Sequence, residues 1–367
     1  MKILRYVLIG SLAMVFAVAC NKGIDPISYV DPGPDTAAPK ITISYPIEGT
    51  KIRVDEPVTS INIKFVASDE IEIKSISLKL DGAEIATFNS FKDYRRYMGE
   101  FQYDNITNGD HALSITVTDL SDKSTSQTVN FKKIAPYVPL DGEVLYIPFD
   151  GDYFELVGKK EVTVAGLPGF VDGKIGQAYA GALDAGITYP APASLMASSE
   201  FSLSFWYKLN GIPKRGGIIS ISRPNTGTAT TSPPDSTRFK GFRFFHEDNG
   251  KNENLGIDIG IGKAEQWMNP FITLKPTVAG DFGDWIHIAI SISSTKAIVY
   301  VNGVSKMTAN LKTPINWTDC SLISIASGVP NFIYWGHLSD LSLYDELHIF
   351  KKAITPEEVT ALYGVKK

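Results

Sequence analysis

Cysteine is almost absent from this chain: Cys20 and Cys320 are the only two in 367 residues. A scaffold stapled by several disulfides is thereby excluded, and stability has to come from a hydrophobic core. Basic charge is also in short supply, with 35 Lys and Arg against 40 Asp and Glu and both signs mixed along nearly every segment. A polyanion binder needs a clustered basic stripe, so nucleic acid is not an expected partner. The apolar run near the start, Tyr6 to Val18, falls short of the roughly 20 residues a spanning helix requires. No Gly-Lys-Ser/Thr phosphate loop, zinc-ligand spacing or Gly-x-Ser-x-Gly elbow occurs, and the chemistries those motifs support lose their usual sequence signal.

What the chain does have begins at its first residues. Lys2 and Arg5, the apolar run and Ala19 in front of Cys20 form the three-part layout of a secretory signal, which is removed after export. Ala17-Val18-Ala19-Cys20 resembles a bacterial lipobox, in which the cysteine thiol takes a diacylglycerol before cleavage in front of it. Ala17 stands where leucine is usual, so a simple Ala-x-Ala cut that releases a soluble protein is the alternative. The expectation is a signal peptide over residues 1–19, lipidation at Cys20, and an outer-membrane lipoprotein of the cell envelope, surface-exposed and touching the membrane only through its anchor. Loss of Lys2 and Arg5 leaves 33 basic against 40 acidic residues, a mature net charge of −7. Cys320 is then the sole thiol, and in Trp317-Thr318-Asp319-Cys320-Ser321-Leu322 it reads as a small buried hydrophobe. Residues 20–40, with Pro26, Pro32, Pro34 and Pro39, cannot bury enough apolar surface to order themselves and form a flexible tether.

From residue 41 to 134 the pattern is one of short alternating runs: Ile41 to Tyr45, Ile61 to Val66, Ile76 to Leu80, Glu84 to Phe88, His111 to Val117 and Ser126 to Phe131. Asp81-Gly82 and Asn108-Gly109 supply hairpin turns. Regular short strands at this spacing predict an immunoglobulin-like sandwich. Ala67-Ser68-Asp69, Leu80-Asp81-Gly82 and Thr116-Val117-Thr118-Asp119 also resemble bacterial Ig-like repeats, which implies a spacer. Phe91, Tyr94, Tyr97, Phe101 and Tyr103 are candidates for an adhesive surface, packing being their other fate.

Residues 141–367 are strand-rich again, with expected strands at Val144 to Pro148, Phe201 to Leu209, Gly217 to Ile221, Phe239 to His246, Gly256 to Ile261, Trp285 to Ile292, Ala297 to Val301 and Leu341 to Phe350. Only Thr355 to Tyr363 reads as a helix, with Thr355 as cap, Pro356 in the first turn and Glu357 and Glu358 complementing its N-terminus. Leu145 to Gly151, Phe170 to Ala178, Phe201-Ser202-Leu203-Ser204-Phe205-Trp206-Tyr207, Trp285 to Ile290 with Asn302-Gly303, and Tyr344 to Phe350 appear in the order of a known fold. Together they resemble the laminin-G-like branch of the concanavalin A-like jelly rolls. The fold class is therefore all-β, an Ig-like sandwich followed by a jelly-roll sandwich. Trp206 and Trp285 lie in strands whose alternation turns them toward a core.

The resemblance implies carbohydrate binding, and anchor, tether, spacer and jelly roll together look like a glycan-binding lipoprotein of a polysaccharide-uptake system, with other outer-membrane uptake proteins as partners. Aromatics outside the strand pattern are the candidate sugar platforms: Trp267, Trp335, Trp317 and Tyr334. Trp267 sits in Glu265-Gln266-Trp267-Met268-Asn269-Pro270, read as a loop whose amides suit hydroxyls. A structural calcium ion, a further implication of the resemblance, nominates Asp345, Asp150 and Asp152, since calcium takes six to eight oxygens. The Glu-x-Asp-x-x-Glu strand of one related hydrolase branch is absent, so no catalytic residue is assigned. A protein-binding adhesin or structural component of an outer-membrane complex is the alternative function, and a glycoside hydrolase or lyase the second.

Overall fold

Along Ile61-Asn62-Ile63-Lys64-Phe65 every second residue is buried and those between are exposed, the period that a half-buried strand imposes. In the computed structural model, which describes residues 33–224, 238–275 and 283–365, this segment lies in the first of two units that divide at Pro136 and Tyr137. The expected signal, Cys20 and most of the expected tether lie outside the described residues.

The first unit contains β1 (Lys40–Tyr45), β2 (Thr50–Arg53), β3 (Val58–Ser68), β4 (Ile73–Leu80), β5 (Ala83–Phe88), β6 (Arg96–Thr107), β7 (Gly109–Asp119) and β8 (Ser124–Ile134). Three strands form one sheet, β1-β3-β6, and five the other, β2-β8-β7-β4-β5. Their inner faces meet over Ile63, Phe65, Leu78, Ile115 and Phe131. Asp81 and Gly82 take φ values of 51° and 82°, as the two-residue hairpin demands. Phe91, Tyr97, Phe101 and Tyr103 pack against this core, whereas Tyr94 is half exposed.

The second unit contains β9 (Glu143–Ile147), β10 (Thr163–Ala165), β11 (Gly169–Asp172), β12 (Gln177–Ala180), β13 (Gly186–Pro190), β14 (Phe201–Lys208), β15 (Arg215–Ser222), β16 (Phe242–Asp248), β17 (Glu253–Gly260), β18 (Glu265–Leu274), β19 (Ile286–Ile292), β20 (Lys296–Val301), β21 (Val304–Asn310), β22 (Leu322–Ile325) and β23 (Leu343–Phe350), with helices α1 (Ala193–Met196) and α2 (Pro356–Tyr363). One sheet runs β10-β13-β22-β15-β16-β17-β18; the other runs β11-β12-β23-β14-β19-β20-β21, with β9 also paired to β23. Phe205, Tyr207, Phe244, Ile257, Ile288 and Leu347 fill the space between them.

Strands β14, β19 and β23 are buried on both faces. The outer face of their sheet is covered by α2, whose Val359 and Leu362 pack with Ala289, Tyr300 and Phe350. Trp206 lies on this covered outer side, against Tyr363 and His287, so its burial comes from the helix and not from the inter-sheet core that strand alternation suggested. Trp285 is only half buried and precedes β19. Helix α2 starts with a capping box: Thr355 Oγ1 accepts from Glu358 N–H while the Glu358 carboxylate accepts from Thr355 N–H. Among the described residues no helix is long and apolar enough to cross a membrane.

Candidate functional site

The site grows out of the register of three antiparallel strands at one edge of the seven-stranded sheet. Phe244, Ile257 and Met268 stand side by side across β16, β17 and β18 and face the core. The neighbouring row, Arg243, Asp258 and Trp267, faces outward because successive side chains alternate. Trp267 is 40% exposed. Asn269 is on the same face, lying over Gly256, where a Cβ would come within 2.6 Å of its side chain. Gln266 instead bonds its own backbone, donating to the Trp267 carbonyl at 3.2 Å. The loop expected at 265–270 is thus a correction: it is part of β18, an edge strand with a register shift opposite Leu255 and Ile257, where Pro270 can be accommodated without breaking a ladder.

Across this face runs the segment from Ser327 to Asp340. Phe332 packs on Phe245 at 5.6 Å, His337 stacks on Phe332 at 4.4 Å, and Tyr334 meets Phe332 edge-on at 5.0 Å. Gly328 is required at the start of the segment, since a Cβ there would stand 2.0 Å from the His337 carbonyl oxygen and 2.2 Å from that of Phe332. Trp335, held at φ 60° inside a short 3-10 turn, places its ring 6.2 Å from that of Trp267. The guanidinium of Arg215 donates to the Trp335 carbonyl at 3.0 Å. Glu247 faces Arg215 across β15 and β16 and is 3.1 Å from His337 Nε2; that hydrogen bond holds its carboxyl below the usual range. Two indoles and a rim of amide, guanidinium and carboxylate therefore converge on one surface.

Two of the four aromatic candidates stand elsewhere. Trp317 is 6% exposed in the inter-sheet core, edge-on to Phe201 at 5.5 Å, and a ligand cannot reach it. Tyr334 is buried beneath Trp335, where its hydroxyl accepts from Arg243 Nε at 2.9 Å. Its role is to hold the segment that carries Trp335. Arg243 and Asp258 are buried under the platform at 3.4 Å from each other, and the half-buried pair Arg238–Glu265, at 3.2 Å, lies beside them. Burial keeps the Asp258 proton well above the carboxylate range, against the pull of Arg243 and with help from Glu265. The sequence did carry a signal for this buried pair, a charge between apolar neighbours in each of two strands, Phe242-Arg243-Phe244 and Ile257-Asp258-Ile259.

The acidic residues nominated for calcium are split. Asp345 and Asp150 both serve the turn at 173–177: Asp345 Oδ2 accepts from Ile175 N–H at 2.8 Å and Asp150 Oδ1 from Gln177 N–H at 3.0 Å. Asp345 Oδ1 is buried without a hydrogen-bond partner, and burial raises the carboxyl to about 7, with the nearby Glu346 and Asp150 adding to the rise. Asp152 turns back on its own loop, accepting from Phe154 N–H at 3.0 Å. Among the described residues no group of three or more His, Cys, Asp or Glu side chains is placed to hold a metal ion. A cation beside Asp345 and Asp150 would therefore draw its further ligands from backbone oxygens or solvent. Cys320 is buried, and burial pushes its thiol up to about 11, which fits an inert core residue.

Comparison with known proteins bears on both units. Residues 39–115 match the bacterial Ig domain and residues 181–360 the concanavalin A-like lectin/glucanases superfamily. No curated protein matches the chain. Among solved structures, domain 4 of AbnA, a GH43 extracellular arabinanase from Geobacillus stearothermophilus, in complex with arabinotriose, is 22% identical, with 60% of this chain and 98% of that one covered and a TM-score of 0.43. The botulinum neurotoxin serotype D/C binding domain is 18% identical over 61% of this chain and 52% of that one, TM-score 0.46. A botulinum neurotoxin DC binding domain in complex with SialylT gives 15%, 61%, 51% and 0.45. The chain spans about half the length of these toxin domains. It therefore comprises a bacterial Ig domain followed by a domain of the concanavalin A-like lectin/glucanase superfamily.

Proposed function

We propose that the second domain binds carbohydrate without cleaving it, on the outer face of its seven-stranded sheet, and that the protein does so as a lipid-anchored, surface-exposed component of a polysaccharide-uptake system. The observation that carries the reading is the pairing of Trp267 and Trp335, two indoles 6.2 Å apart beside Arg215, Glu247 and Asn269. Indole faces take the CH patches of a sugar, and the planar polar groups take its hydroxyls. Binding without cleavage is supported by the surroundings of the nearby acids: Asp258 is 1% exposed and committed to Arg243, and Glu247 at the rim is held by His337 at 3.1 Å. The same reading includes a structural calcium ion beside Asp345 and Asp150; added calcium should raise the melting temperature of the wild type and leave Asp345→Asn unchanged.

The test is affinity electrophoresis of the mature chain in gels cast with plant, host and microbial polysaccharides, with chromatography of each mixture after overnight incubation. Retardation by at least one glycan, lost in Trp267→Ala and in Trp335→Ala, is expected, with no new oligosaccharide. Retardation that survives both substitutions would remove the platform, and released oligosaccharide would make the protein an enzyme.

A further inference from the structure

The outer face of the seven-stranded sheet carries a second concavity at the edge opposite the indole pair. This cavity, of about 450 Å³, falls within the ~300–1,000 Å³ range of small-molecule sites. Thr188 reaches it because it alternates along β13 with the core residues Ile187 and Tyr189, and Thr163 stands directly opposite Thr188 on β10. Ser327, at the base of the crossing segment, lies over Gly186, where a Cβ would come within 2.6 Å of its own. It also bridges to Ser339. Strands β13 and β18 are five steps apart in the sheet, roughly 24 Å at 4.7–4.9 Å per step, so the cavity and Trp267 would meet different units of one sugar chain.

Two kinds of surface make the wall. Val329, Pro330 and Leu338 of the crossing segment and Ala165 of β10 supply aliphatic carbon, while Thr163, Thr188, Ser327 and Ser339 supply four hydroxyls. Ser339 is 3% exposed, and its hydroxyl bonds to no described residue. Ser327 Oγ accepts from Val329 N–H at 3.0 Å and keeps its own proton for a ligand. Among the described residues that line the cavity, the one charge is the exposed carboxylate of Asp184, and there is no aromatic ring.

These features discriminate between ligand classes. A uronate or other anion would meet Asp184 with no cation to receive it. An unsubstituted hexose would find no ring face to lie on and would bury hydroxyls against the aliphatic wall, where each unpaired one is costly. A purely aliphatic group would leave the buried Ser339 hydroxyl and its neighbours without partners. An acetamido group suits both surfaces: its methyl takes the carbon of Val329, Pro330 and Leu338, its carbonyl accepts from a hydroxyl, and its N–H donates to a hydroxyl oxygen or to Asp184. We infer that this cavity holds the acetamido group of an N-acetylhexosamine unit, so that the glycan recognised by this face is one that contains such units. The inference rests on the reading of the outer face as the glycan site and names the class of glycan it takes.

Calorimetric titration of the whole mature chain with N,N′-diacetylchitobiose, alongside cellobiose, digalacturonate and N-acetylglycinamide, tests the inference. Diacetylchitobiose should bind about tenfold or more tighter than each of the others, and Trp267→Ala should leave its affinity unchanged. Ala165→Phe, which fills the cavity from an exposed position on β10, should abolish that binding. Thr188→Val, which keeps the shape and removes a hydroxyl, should weaken it about threefold or more and serves where Ala165→Phe fails to fold. Equal or tighter binding of cellobiose or digalacturonate, equal binding of N-acetylglycinamide, which would point to an acetylated peptide, or binding that survives both cavity substitutions would each overturn the assignment. Polysaccharide retardation through Trp267 with no diacetylchitobiose bound would overturn the cavity assignment alone. Diacetylchitobiose binding lost in Ala165→Phe, with no polysaccharide retarded, would uphold the cavity and fall on the indole platform.

Discussion

At the scale of single residues, four aromatics that look alike in the sequence divide into two kinds of work. Trp267 lies at the end of an outward row on an edge strand and keeps 40% of its surface in solvent, so truncating it removes little buried area. Trp317 fills the core against Phe201, and deletion of a buried tryptophan side chain costs about 3–5 kcal/mol. Denaturant unfolding should therefore show a loss of that size for Trp317→Ala and less than about 1 kcal/mol for Trp267→Ala, while only the latter loses glycan retardation in its folded fraction. A comparable stability loss in both would mean that the edge of the sheet is held by Trp267 and is not a free platform. What was legible here was that Trp335 interrupts the strand pattern, whereas Trp267, read as a loop residue, stands in β18. What was not legible was exposure, because the segment that lifts Trp335 and buries Tyr334 is held by Arg243, a residue 91 positions from the Tyr334 it bonds, a partner no local pattern indicates.

At the scale of elements, alternation revealed strands with one buried face, and the turn residues revealed their ends. It did not reveal β2 or the short strands from Thr163 to Pro190, whose mixed burial gives no period to read, nor β6, whose inward positions alternate in the structure but include Gly99 and half-buried aromatics. The capping box of α2 was readable because Thr355 and Glu358 act locally. A buried link between β16, β17 and the approach to β23 was not readable. There His246 lies 3.1 Å from Glu253 and 3.5 Å from Asp340, with none of the three appreciably exposed. Burial alone would lower the imidazole pKa, but Asp340 and Glu253 outweigh it and push it up to about 9. Because the folded value exceeds the ordinary 6.5, the stabilisation is complete below pH 6.5 and drains away as pH rises through 9. The slope should approach about 1.4 kcal/mol per pH unit within that window. Chemical denaturation at intervals from pH 6 to 10 should show this decline in the wild type and a flatter line in His246→Gln, which is already destabilised at pH 6 because two carboxylates lose their buried partner. Equal slopes in the two proteins would place the titration elsewhere.

At the scale of the whole molecule, the order of the parts was more legible than any site, since landmark runs such as Phe201 to Tyr207 and Trp285 to Ile290 carry residues that fill the core. The functional proposal needs one further element, an anchor at Cys20, because a glycan receptor of an uptake system must be retained at the cell that uses it. The proposal assigns that retention to lipid on Cys20. A single acyl chain gives only marginal membrane binding, whereas additional chains make it stable. Expressed in a bacterial host that processes lipoproteins, the wild type should therefore incorporate labelled fatty acid and partition into the detergent phase on Triton X-114 separation. Cys20→Ser should lose the label and move to the aqueous phase while its purified mature domains keep their glycan retardation. An unlabelled, aqueous wild type would establish the Ala-x-Ala cut and a secreted protein, and the binding reading would then describe a released lectin.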